Sequence, residues 1–297
     1  MDVLSLCDGI SCGQVALGKV NINISKYYAA EINQDAISVA KTNFPDMIHI
    51  GDMTKVSGYD YKDIDLLIAG TPCQDLSHAK TDGKGLDGDK SGLFYHFVRI
   101  LKECNPKYFF LENVKMKKEW EDIITSLLGV KPIKINSNLV SAQNRERLYW
   151  TNIPNITSPN NMGILIKDII FDDNYKIFTD ERIDNTRIKT KNYWKWDLSG
   201  KKYWSQQDRA YFKDGKMCTV PKANPSNKLN IWLGENKYRR CHPIEAERLQ
   251  TLPDNYTSCI KSHGKRIGLC GDGWTVDVIA HIFKGISSQT REEVNNG

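Results

Sequence analysis

The sequence predicts an α/β fold with a doubly wound, mostly parallel sheet and a smaller second lobe. Two observations lead to this prediction: short apolar runs alternate with helix-like stretches in the first half of the chain, and this rhythm stops near residue 155. Each run ends in a polar or small residue, which is typical of β-α units around a parallel sheet. The predicted strands are 3–6, 27–30, 47–50, 66–69 and 108–111.

The stretches between these runs are predicted to form helices at about 12–20, 34–43, 91–103 and 117–128. Ser91 is a candidate N-cap of the third helix. A helical pattern returns at 243–250, and a last one runs from Thr275 to Phe283, where apolar residues follow the spacing of a packed helix.

Beyond about residue 155, prolines punctuate a stretch rich in asparagine, lysine and aromatic residues, with few long apolar runs. This change of composition predicts a main domain over 1–155 and a smaller lobe over 156–260. The remaining segment, 261–297, is expected to return to the main domain.

The composition is that of an ordinary globular protein: of 297 residues, 40% are hydrophobic and 26% are charged. The 41 basic and 36 acidic residues give a net charge of +5, which permits a polyanionic partner without requiring one. The eight cysteines form neither a Cys-x-x-Cys pair nor a cluster at zinc-ligand spacing, so we expect a reducing compartment and no metal. The first residues lack a secretory signal and no window approaches about 18 apolar residues, which predicts a cytoplasmic protein without membrane contact.

In open α/β sheets the ligand lies beyond the carboxyl ends of the strands, so the residues after each apolar run indicate the chemistry. The loop after the first strand, 7–13, has glycines for a tight turn but lacks the G-x-G-x-x-G spacing. Asp8 in this loop would repel a pyrophosphate. These features disfavour a dinucleotide, and with it a nicotinamide-dependent oxidoreductase.

Acidic residues follow the second and third strands. Glu31 lies where a carboxylate can accept both hydroxyl groups of a ribose, and Asp52 lies where it can accept the amine of an adenine. Glycines and two acids without a phosphate cradle suit S-adenosylmethionine, an adenosine that carries an amino acid and a sulfonium. Taken singly, each acid also fits a solvated residue at a strand end.

Candidate reactive groups follow the fourth and fifth strands. A rigid turn over 70–77 presents the thiol of Cys73 beside a helix start, where the thiolate is favoured, and Glu112 follows the fifth strand. Arg145 and Arg147 lie two residues apart, so on one strand both side chains would share a face and could grip a phosphate or orient a carboxylate. Singly, the cysteine also fits a small buried side chain, the glutamate a helix cap or ion pair, and the arginines a surface ion-pair ladder.

Residues 187–216 combine nine basic and three acidic residues with seven aromatic ones. This pattern is typical of a nucleic-acid face, where cations neutralise phosphates and rings stack or wedge between bases. A solvated basic face over an aromatic mini-core is the alternative.

In their order and spacing these motifs resemble those of the C5-cytosine DNA methyltransferases over nearly the whole chain. The motifs are Asp8-Gly9, Glu31, Asp52, Gly70-Thr71-Pro72-Cys73-Gln74, Glu112-Asn113-Val114, Gln143-x-Arg145-x-Arg147, Arg239-Arg240 with Pro243 to Gln250, Leu252 to Tyr256, and Gly271 to Val276. The Pro-Cys-x-Asp-Leu-Ser run and the Trp-Thr-Val ending look most like the de novo branch of the eukaryotic enzymes. The compact size suggests a bacterial or phage enzyme.

The resemblance implies a Rossmann-like, class I S-adenosylmethionine-dependent methyltransferase in which 156–260 is a target-recognition lobe. It also implies a DNA (cytosine-5-)-methyltransferase that acts on a flipped cytosine of double-stranded DNA. Cys73 would be the nucleophile that attacks C6, Glu112 would contact N3 and the exocyclic amine, and Arg145 would stabilise the O2 side of the ring. Arg147 would orient Glu112 or a phosphate, and Asn113 would hold the cysteine loop.

Two sets of binding residues follow from the same resemblance. The residues expected to hold S-adenosylmethionine, which is released as S-adenosylhomocysteine, are Cys7, Asp8, Gly9, Ile10, Glu31, Ile32, Asp52, Met53, Gly70, Pro72, Trp274 and Thr275. The residues expected to contact DNA are Gln74, Ser77, Lys189, Lys191, Arg209 and Lys222. A cognate restriction endonuclease is a further candidate partner, and both a monomer and a dimer are compatible with the sequence.

The chain departs from the family pattern at two positions. Cys7 stands where the family usually has phenylalanine, and Asp272 stands where it often has asparagine, so cofactor affinity is the property most affected. A tRNA-modifying enzyme of the same fold and a member that binds DNA without catalysis are the alternatives. The Cys-Phe-Thr tripeptide of the tRNA branch is absent, and the presence of Cys73, Glu112 and Arg145 disfavours a binding-only role.

Overall fold

The computed structural model describes residues 1–72, 92–172, 174–179, 187–196, 209–222, 229–235 and 237–295. Contacts between residues divide the chain into two compact units. The first unit contains 1–136, 146–158 and 276–297, and the second contains 137–145 and 159–275. The division into a catalytic domain, a recognition lobe and a returning segment at residues 155 and 260 stays a prediction.

The first unit is built on one sheet. Its strands are β1 (Asp2–Leu6), β2 (Lys26–Ala30), β3 (Ile48–Gly51), β4 (Leu66–Gly70), β5 (Tyr108–Val114), β6 (Ile133–Asn136) and β8 (Glu146–Thr151). Within the described residues, these seven strands follow the order β3-β2-β1-β4-β5-β8-β6. The first five run parallel, and β8 runs antiparallel to β5 and β6. The predicted α/β fold with a mostly parallel sheet is therefore confirmed.

The helices of the first unit are α1 (Cys12–Lys19), α2 (Gln34–Asn43), α3 (Leu93–Cys104), α4 (Lys118–Leu128) and α7 (Val276–Asn295). The first four agree with the predicted helices to within two residues at each end. The residue that precedes α3 is Gly92, and the predicted cap Ser91 lies outside the described residues. Helix α7 extends beyond the predicted end at Phe283. The prediction ended there because the residues that follow lack the apolar spacing on which it depended.

Helices pack on both faces of this sheet. Phe109 joins a buried cluster with Phe97 of α3 and Ile124 of α4. Its neighbour Phe110 points to the other face, where its ring centroid lies 5.4 Å from that of Phe283 in α7, and α7 packs against α1. Burial of each such large apolar side chain contributes about 1.5–3 kcal/mol, so the two faces together hold the sheet rigid. The carboxyl ends of the parallel strands form a firm edge on which functional groups can be placed.

The second unit contains a different sheet. Its strands are β9 (Ile177–Thr179), β10 (Arg187–Lys189), β11 (Tyr193–Trp196), β12 (Arg209–Tyr211), β14 (Asn230–Gly234) and β15 (Lys237–Arg240). Among the residues described, these six strands follow the order β10-β11-β12-β14-β15-β9. They are short and rich in polar and aromatic residues, and they therefore give no apolar run that a sequence pattern could detect.

The described part of the second unit also contains the helices α5 (Pro243–Leu249), which agrees with the predicted helix, and α6 (His263–Asp272), which the sequence pattern missed. The side chain of His242 accepts a hydrogen bond from the backbone N–H of Ile244 and caps α5. No helix in the described part of the chain is long and apolar enough to cross a membrane.

A small parallel pair, β7 (Gln143–Asn144) with β13 (Met217–Cys218), ties the segment 137–145 into the second unit. Arg145 lies between β7 and β8, and Arg147 lies within β8. The two arginines therefore do not lie on one strand, and their partners differ: Arg145 donates to Gly271 and Gly273, and Arg147 pairs with Glu112.

Candidate active site

The loop after β1 has a strained backbone. Cys7, Gly9 and Ser11 all have positive φ, at 54°, 60° and 56°. Only glycine adopts this conformation without a steric cost, which for other residues is about 1–2 kcal/mol. A Cβ atom added at Gly9 would meet nothing within 4 Å, so the loop is open at this point. Strain of this kind is common where the backbone must approach a ligand closely.

Asp8 holds the loop in shape. The hydroxyl groups of Ser5 and Tyr27 donate to its Oδ1 at 2.6 Å and 2.7 Å, and the hydroxyl of Ser11 donates to its Oδ2. Burial raises the pKa of Asp8, and these three donors act in the opposite direction. Its carboxylate is therefore engaged within the protein, and a direct contact of Asp8 with the cofactor stays a prediction.

Glu31, directly after β2, is fixed by backbone donors. The N–H of Gly9 donates to its Oε2 at 2.8 Å, and the N–H groups of Ile32 and Asn33 donate to its Oε1 at 2.8 Å each. The Nε2 of His49 in β3 lies 2.9 Å from the carbonyl oxygen of Glu31, and a carbonyl can only accept, so the ring donates here. Sequence reasoning missed His49, since an isolated histidine in a strand carries no motif. The carboxylate is held in one orientation while its residue stays at the surface.

Asp52 and Met53 follow β3 at the same edge of the sheet. The backbone N–H of Thr54 donates to Asp52 at 2.9 Å and holds the pKa of this carboxyl below its usual range. The side chain of Met53 is buried, and its sulfur accepts a contact of 3.2 Å from the thiol of Cys7. The aspartate therefore remains ionised and available as an acceptor at neutral pH.

The charges around Cys7 fit a cationic ligand. Burial, together with the negative charges of Glu31, Asp52 and Asp8, raises the pKa of the Cys7 thiol to about 12. Three carboxylates thus act on one point of the loop, which favours the positive sulfonium of S-adenosylmethionine and disfavours a diphosphate. Ile32 is 71% exposed and offers an apolar surface beside Glu31. The residues present therefore fit this cofactor, although Cys7 and Ile32 provide no aromatic ring for an adenine.

The carboxyl ends of β4 and β5 meet at one point of the edge. Gly70, the last residue of β4, pairs with Glu112 of β5. Thr71 is buried and leads through Pro72 to Cys73, which lies outside the described residues together with Gln74 and Ser77. The segment that carries the predicted nucleophile therefore leaves the sheet beside Glu112.

Glu112 and Arg147 form an ion pair across β5 and β8. The Nε of Arg147 lies 2.9 Å from the Oε1 of Glu112, and the two side chains are only 14% and 11% exposed. Because the pair is mostly buried, its attraction is less screened than that of a surface pair. A guanidinium in this position holds the carboxyl group in a fixed orientation at the end of the strand.

Asn113 connects β5 to the segment before Cys73. Its Nδ2 donates to the hydroxyl and to the carbonyl oxygen of Thr71, at 3.1 Å and 3.4 Å. Its Oδ1 accepts the backbone N–H of Val114 at 2.8 Å. The asparagine is 1% exposed, so these bonds are shielded from water and fix the start of the cysteine loop.

In the second unit, Arg145 donates to the carbonyl oxygens of Gly271 and Gly273, at 3.2 Å and 2.9 Å. Trp274 and Thr275 follow directly and are both buried. The hydroxyl of Thr275 donates to the Oε1 of Gln250 at 2.9 Å. The structure thus brings three of the predicted site residues, Arg145, Trp274 and Thr275, to one buried polar cluster of this unit.

Four of the residues predicted to contact DNA, Lys189, Lys191, Arg209 and Lys222, lie in the second unit. Lys191 is exposed in the turn between β10 and β11, and Lys189 lies in β10. The guanidinium of Arg209 lies 4.7 Å from the ring centroid of Tyr193, a cation-π contact. Its buried Nε has no hydrogen-bond partner in the described structure. Lys222 is exposed, and its Nζ lies 3.2 Å from the Oδ2 of Asp272.

No group of three or more histidine, cysteine, aspartate or glutamate residues suited to a metal ion is present within the described ranges.

Comparison with known proteins finds relatives that match most of the chain. The Type II methyltransferase M1.ScrFI of Lactococcus lactis subsp. cremoris is 30% identical over 271 residues, which cover 78% of this chain and 64% of that protein. The chain therefore spans less than two thirds of the length of this relative. The Type II methyltransferase M.HhaI of Haemophilus parahaemolyticus is 26% identical over 292 residues, which cover 88% of this chain and 87% of that protein.

The fold is also that of known methyltransferases. The structure of the Entamoeba histolytica methyltransferase EhMeth superposes with a TM-score of 0.74 over 98% of both chains, at 16% sequence identity. The mixed, mostly parallel sheet with its helices is consistent with the class I S-adenosylmethionine-dependent methyltransferase fold. The family model of the C-5 cytosine-specific DNA methylases matches residues 1–288. The chain belongs to the C-5 cytosine-specific DNA methylase family.

Proposed function

We propose that this protein is a DNA (cytosine-5-)-methyltransferase that transfers a methyl group from S-adenosylmethionine to C5 of a cytosine in double-stranded DNA. The observation that carries the proposal is the buried pair of Glu112 and Arg147 at the end of β5, beside the end of β4 from which the chain leads to Cys73. The fixed carboxyl group of Glu112 and the thiol of Cys73 are proposed to supply the acid and the nucleophile that activation of a cytosine requires.

The chemistry begins with the thiolate of Cys73, which forms a bond to C6 and pushes the ring electrons towards N3 and C5. Glu112 contacts N3 and the exocyclic amine, so it stabilises the ring as N3 becomes basic and selects cytosine over thymine. Arg147 orients Glu112, and Asn113 holds the loop that carries the thiol. When bound, S-adenosylmethionine supplies the methyl group that C5 takes, and leaves as S-adenosylhomocysteine. A base then removes the C5 proton, and the bond between C6 and the thiolate breaks.

The cofactor is proposed to lie against the loop after β1. Glu31 accepts the ribose hydroxyls, Asp52 accepts the adenine amine, and the open backbone at Gly9 allows a close approach. Ile10 and Gly70 belong to the same proposed set. Met53 and Ile32 cover the adenine with apolar surface in place of an aromatic ring. Trp274, Thr275 and Pro72 complete the set that the resemblance assigns to the cofactor.

Arg145 is proposed to act on the O2 side of the cytosine. Its guanidinium also donates to the carbonyl oxygens of Gly271 and Gly273, so we propose that it holds the 271–273 segment as well. An experiment can separate these two roles, because the contact with cytosine O2 exists only when DNA is bound, whereas the bonds to the 271–273 segment are present in the free protein.

Base flipping is required, since C5 and C6 are not accessible to a thiol and a cofactor within stacked DNA. We propose that the second unit holds the duplex through Lys189, Lys191, Arg209 and Lys222, with Gln74 and Ser77 near the flipped base. We further propose a cytoplasmic enzyme of a restriction-modification system, with a cognate endonuclease as partner. The likeness to the de novo branch stays a prediction.

The test is methylation of unmethylated duplex DNA by the purified protein and S-adenosylmethionine, followed by digestion to nucleosides and mass spectrometry. We expect 5-methyldeoxycytidine with the wild type and none with Cys73→Ala, because the ring is not activated without the thiolate. Cys259→Ala is the matched control, since Cys259 is an exposed cysteine in the second unit, and it should retain full activity.

Two results would contradict the proposal. Equal amounts of 5-methyldeoxycytidine from the wild type and Cys73→Ala would exclude the covalent mechanism. Absence of the modified base from DNA together with 5-methylcytidine in tRNA would assign the protein to the RNA-modifying alternative.

A further inference from the structure

We propose that Gln250 is a positioning residue for the cofactor: its side-chain amide fixes the segment 270–275 and, through it, Trp274 and Thr275. The inference rests on the proposed function, because those two residues are assigned to S-adenosylmethionine. Gln250 follows α5 directly and is fully buried.

Both ends of the Gln250 amide are used. Its Nε2 donates to the carbonyl oxygens of Cys270 and Gly273, at 2.5 Å and 3.1 Å. Its Oε1 accepts from the hydroxyl of Thr275 at 2.9 Å and from the Nε2 of Gln143 at 2.8 Å. Four hydrogen bonds on one buried amide fix its orientation, since a rotated amide would face donors with donors and acceptors with acceptors.

Three of these four bonds reach the 270–275 segment, which has little regular structure of its own after α6 ends at Asp272. The carbonyl oxygen of Gly273 also accepts from Arg145. Gly271 allows this packing: a Cβ atom there would lie 2.1 Å from the carbonyl oxygen of Pro221, so no larger residue fits without movement of the backbone. The segment is therefore held by side chains from outside it.

The fourth bond connects Gln250 to the segment 137–145. Gln143 donates from Nε2 to the carbonyl oxygen of Leu249 as well, and its Oε1 accepts the backbone N–H of Val220. The hydroxyl of Ser137 donates to Thr275 at 2.8 Å. Gln250 therefore lies in a buried network with backbone groups and the side chains of Ser137, Gln143, Arg145 and Thr275. Of the side chains outside the 270–275 segment, its amide makes the most hydrogen bonds to that segment.

The experiment compares Gln250→Met with Ser141→Ala. Methionine retains the length of the side chain and removes all four hydrogen bonds of the amide. Ser141→Ala is the matched control, because it removes one buried hydrogen bond, to the carbonyl oxygen of Leu249 at 2.6 Å, without contact to 270–275. The measurements are KM and Kd for S-adenosylmethionine, kcat at saturating cofactor, Kd for DNA and the thermal unfolding midpoint.

A positioning role predicts that Gln250→Met raises KM and Kd for S-adenosylmethionine about tenfold, equivalent to about 1.4 kcal/mol, with kcat and the Kd for DNA within about twofold. Ser141→Ala should leave all four constants unchanged. Gln250→Asn, whose shorter amide cannot reach both the 270–275 carbonyls and Gln143, should give an intermediate increase. It also provides the test if Gln250→Met does not fold.

A different result would overturn the inference. If Gln250→Met or Gln250→Asn lowers the unfolding midpoint and still binds S-adenosylmethionine as the wild type does, Gln250 has a structural role alone. Failure of the wild type to bind S-adenosylmethionine would instead reject the proposed function, so the two failures are distinguishable.

Discussion

At the scale of single residues, the account depends on how a few buried polar groups are held. The Glu112 carboxyl is oriented by Arg147, and the Glu31 carboxylate by three backbone N–H groups. The sequence motifs indicated Glu31 and Glu112, since each directly follows an apolar run. They could not indicate His49, which holds the Glu31 carbonyl from another strand, or the role of Gln250, whose partners are distant in sequence.

Arg147→Met tests the ion pair directly. In the proposed mechanism Glu112 acts where charge develops in the transition state, so we expect loss of its orienting guanidinium to lower kcat about 10²- to 10³-fold. The measurement is the rate of tritiated methyl transfer to DNA at saturating substrates. Arg99→Met, which breaks the ion pair between Arg99 and Glu103 of α3, is the control and should leave kcat within about twofold.

A kcat of Arg147→Met within a factor of three of the wild type would show that Glu112 does not need this partner. The assignment of Arg147 as an orienting residue would then be withdrawn.

At the scale of elements, α5 shows how a short helix can be fixed by charge. Glu245 and Glu247 are both fully buried. The guanidinium of Arg239 lies 2.6 Å from the Oε1 of Glu245, and that of Arg266 lies 2.8 Å from the Oε1 of Glu247. The sequence pattern predicted α5 from its apolar spacing, but it did not indicate that both glutamates are internal. It missed α6 because three glycines, at 264, 268 and 271, interrupt the helical pattern. Packing against α5 stabilises α6 despite these glycines.

Arg266→Met should lower the free energy of unfolding by about 3–5 kcal/mol, because it leaves the buried carboxylate of Glu247 without its charged partner. Urea unfolding followed by circular dichroism measures the change. Lys118→Met, which removes an exposed pair with Glu121 in α4, is the control and should cost less than about 1 kcal/mol. Equal, small effects of both substitutions would show that the buried pair contributes little to stability.

At the scale of the whole molecule, the five parallel strands of the first unit are predictable from sequence, since each contains an apolar run. Strands β6 and β8 of the same sheet were not predicted, because polar and charged residues interrupt their apolar ones. The strands of the second unit are not predictable in this way, because they are short and carry polar and aromatic residues, and because β9 pairs with the distant strand β15. The sequence also did not indicate that 137–145 belongs to the second unit. The contacts of this segment are distant in sequence: Gln143 donates to Gln250, which lies 107 residues further along the chain. Apolar runs therefore predicted the parallel strands of the first unit, and no sequence pattern predicted the sheet of the second unit.

The central claim is that Cys73 forms a covalent bond to C6 of cytosine. It is tested most directly with duplex DNA that contains 5-fluorodeoxycytidine in place of deoxycytidine, incubated with the protein and S-adenosylmethionine. After methyl transfer, C5 carries fluorine and no proton, so the elimination that frees the thiolate is blocked.

We predict a protein-DNA adduct that is stable to denaturation, requires S-adenosylmethionine, maps to Cys73 by peptide mass spectrometry and is absent from Cys73→Ala. Methylation of ordinary DNA without any adduct on the fluorinated duplex, or an adduct on another residue, would contradict the account.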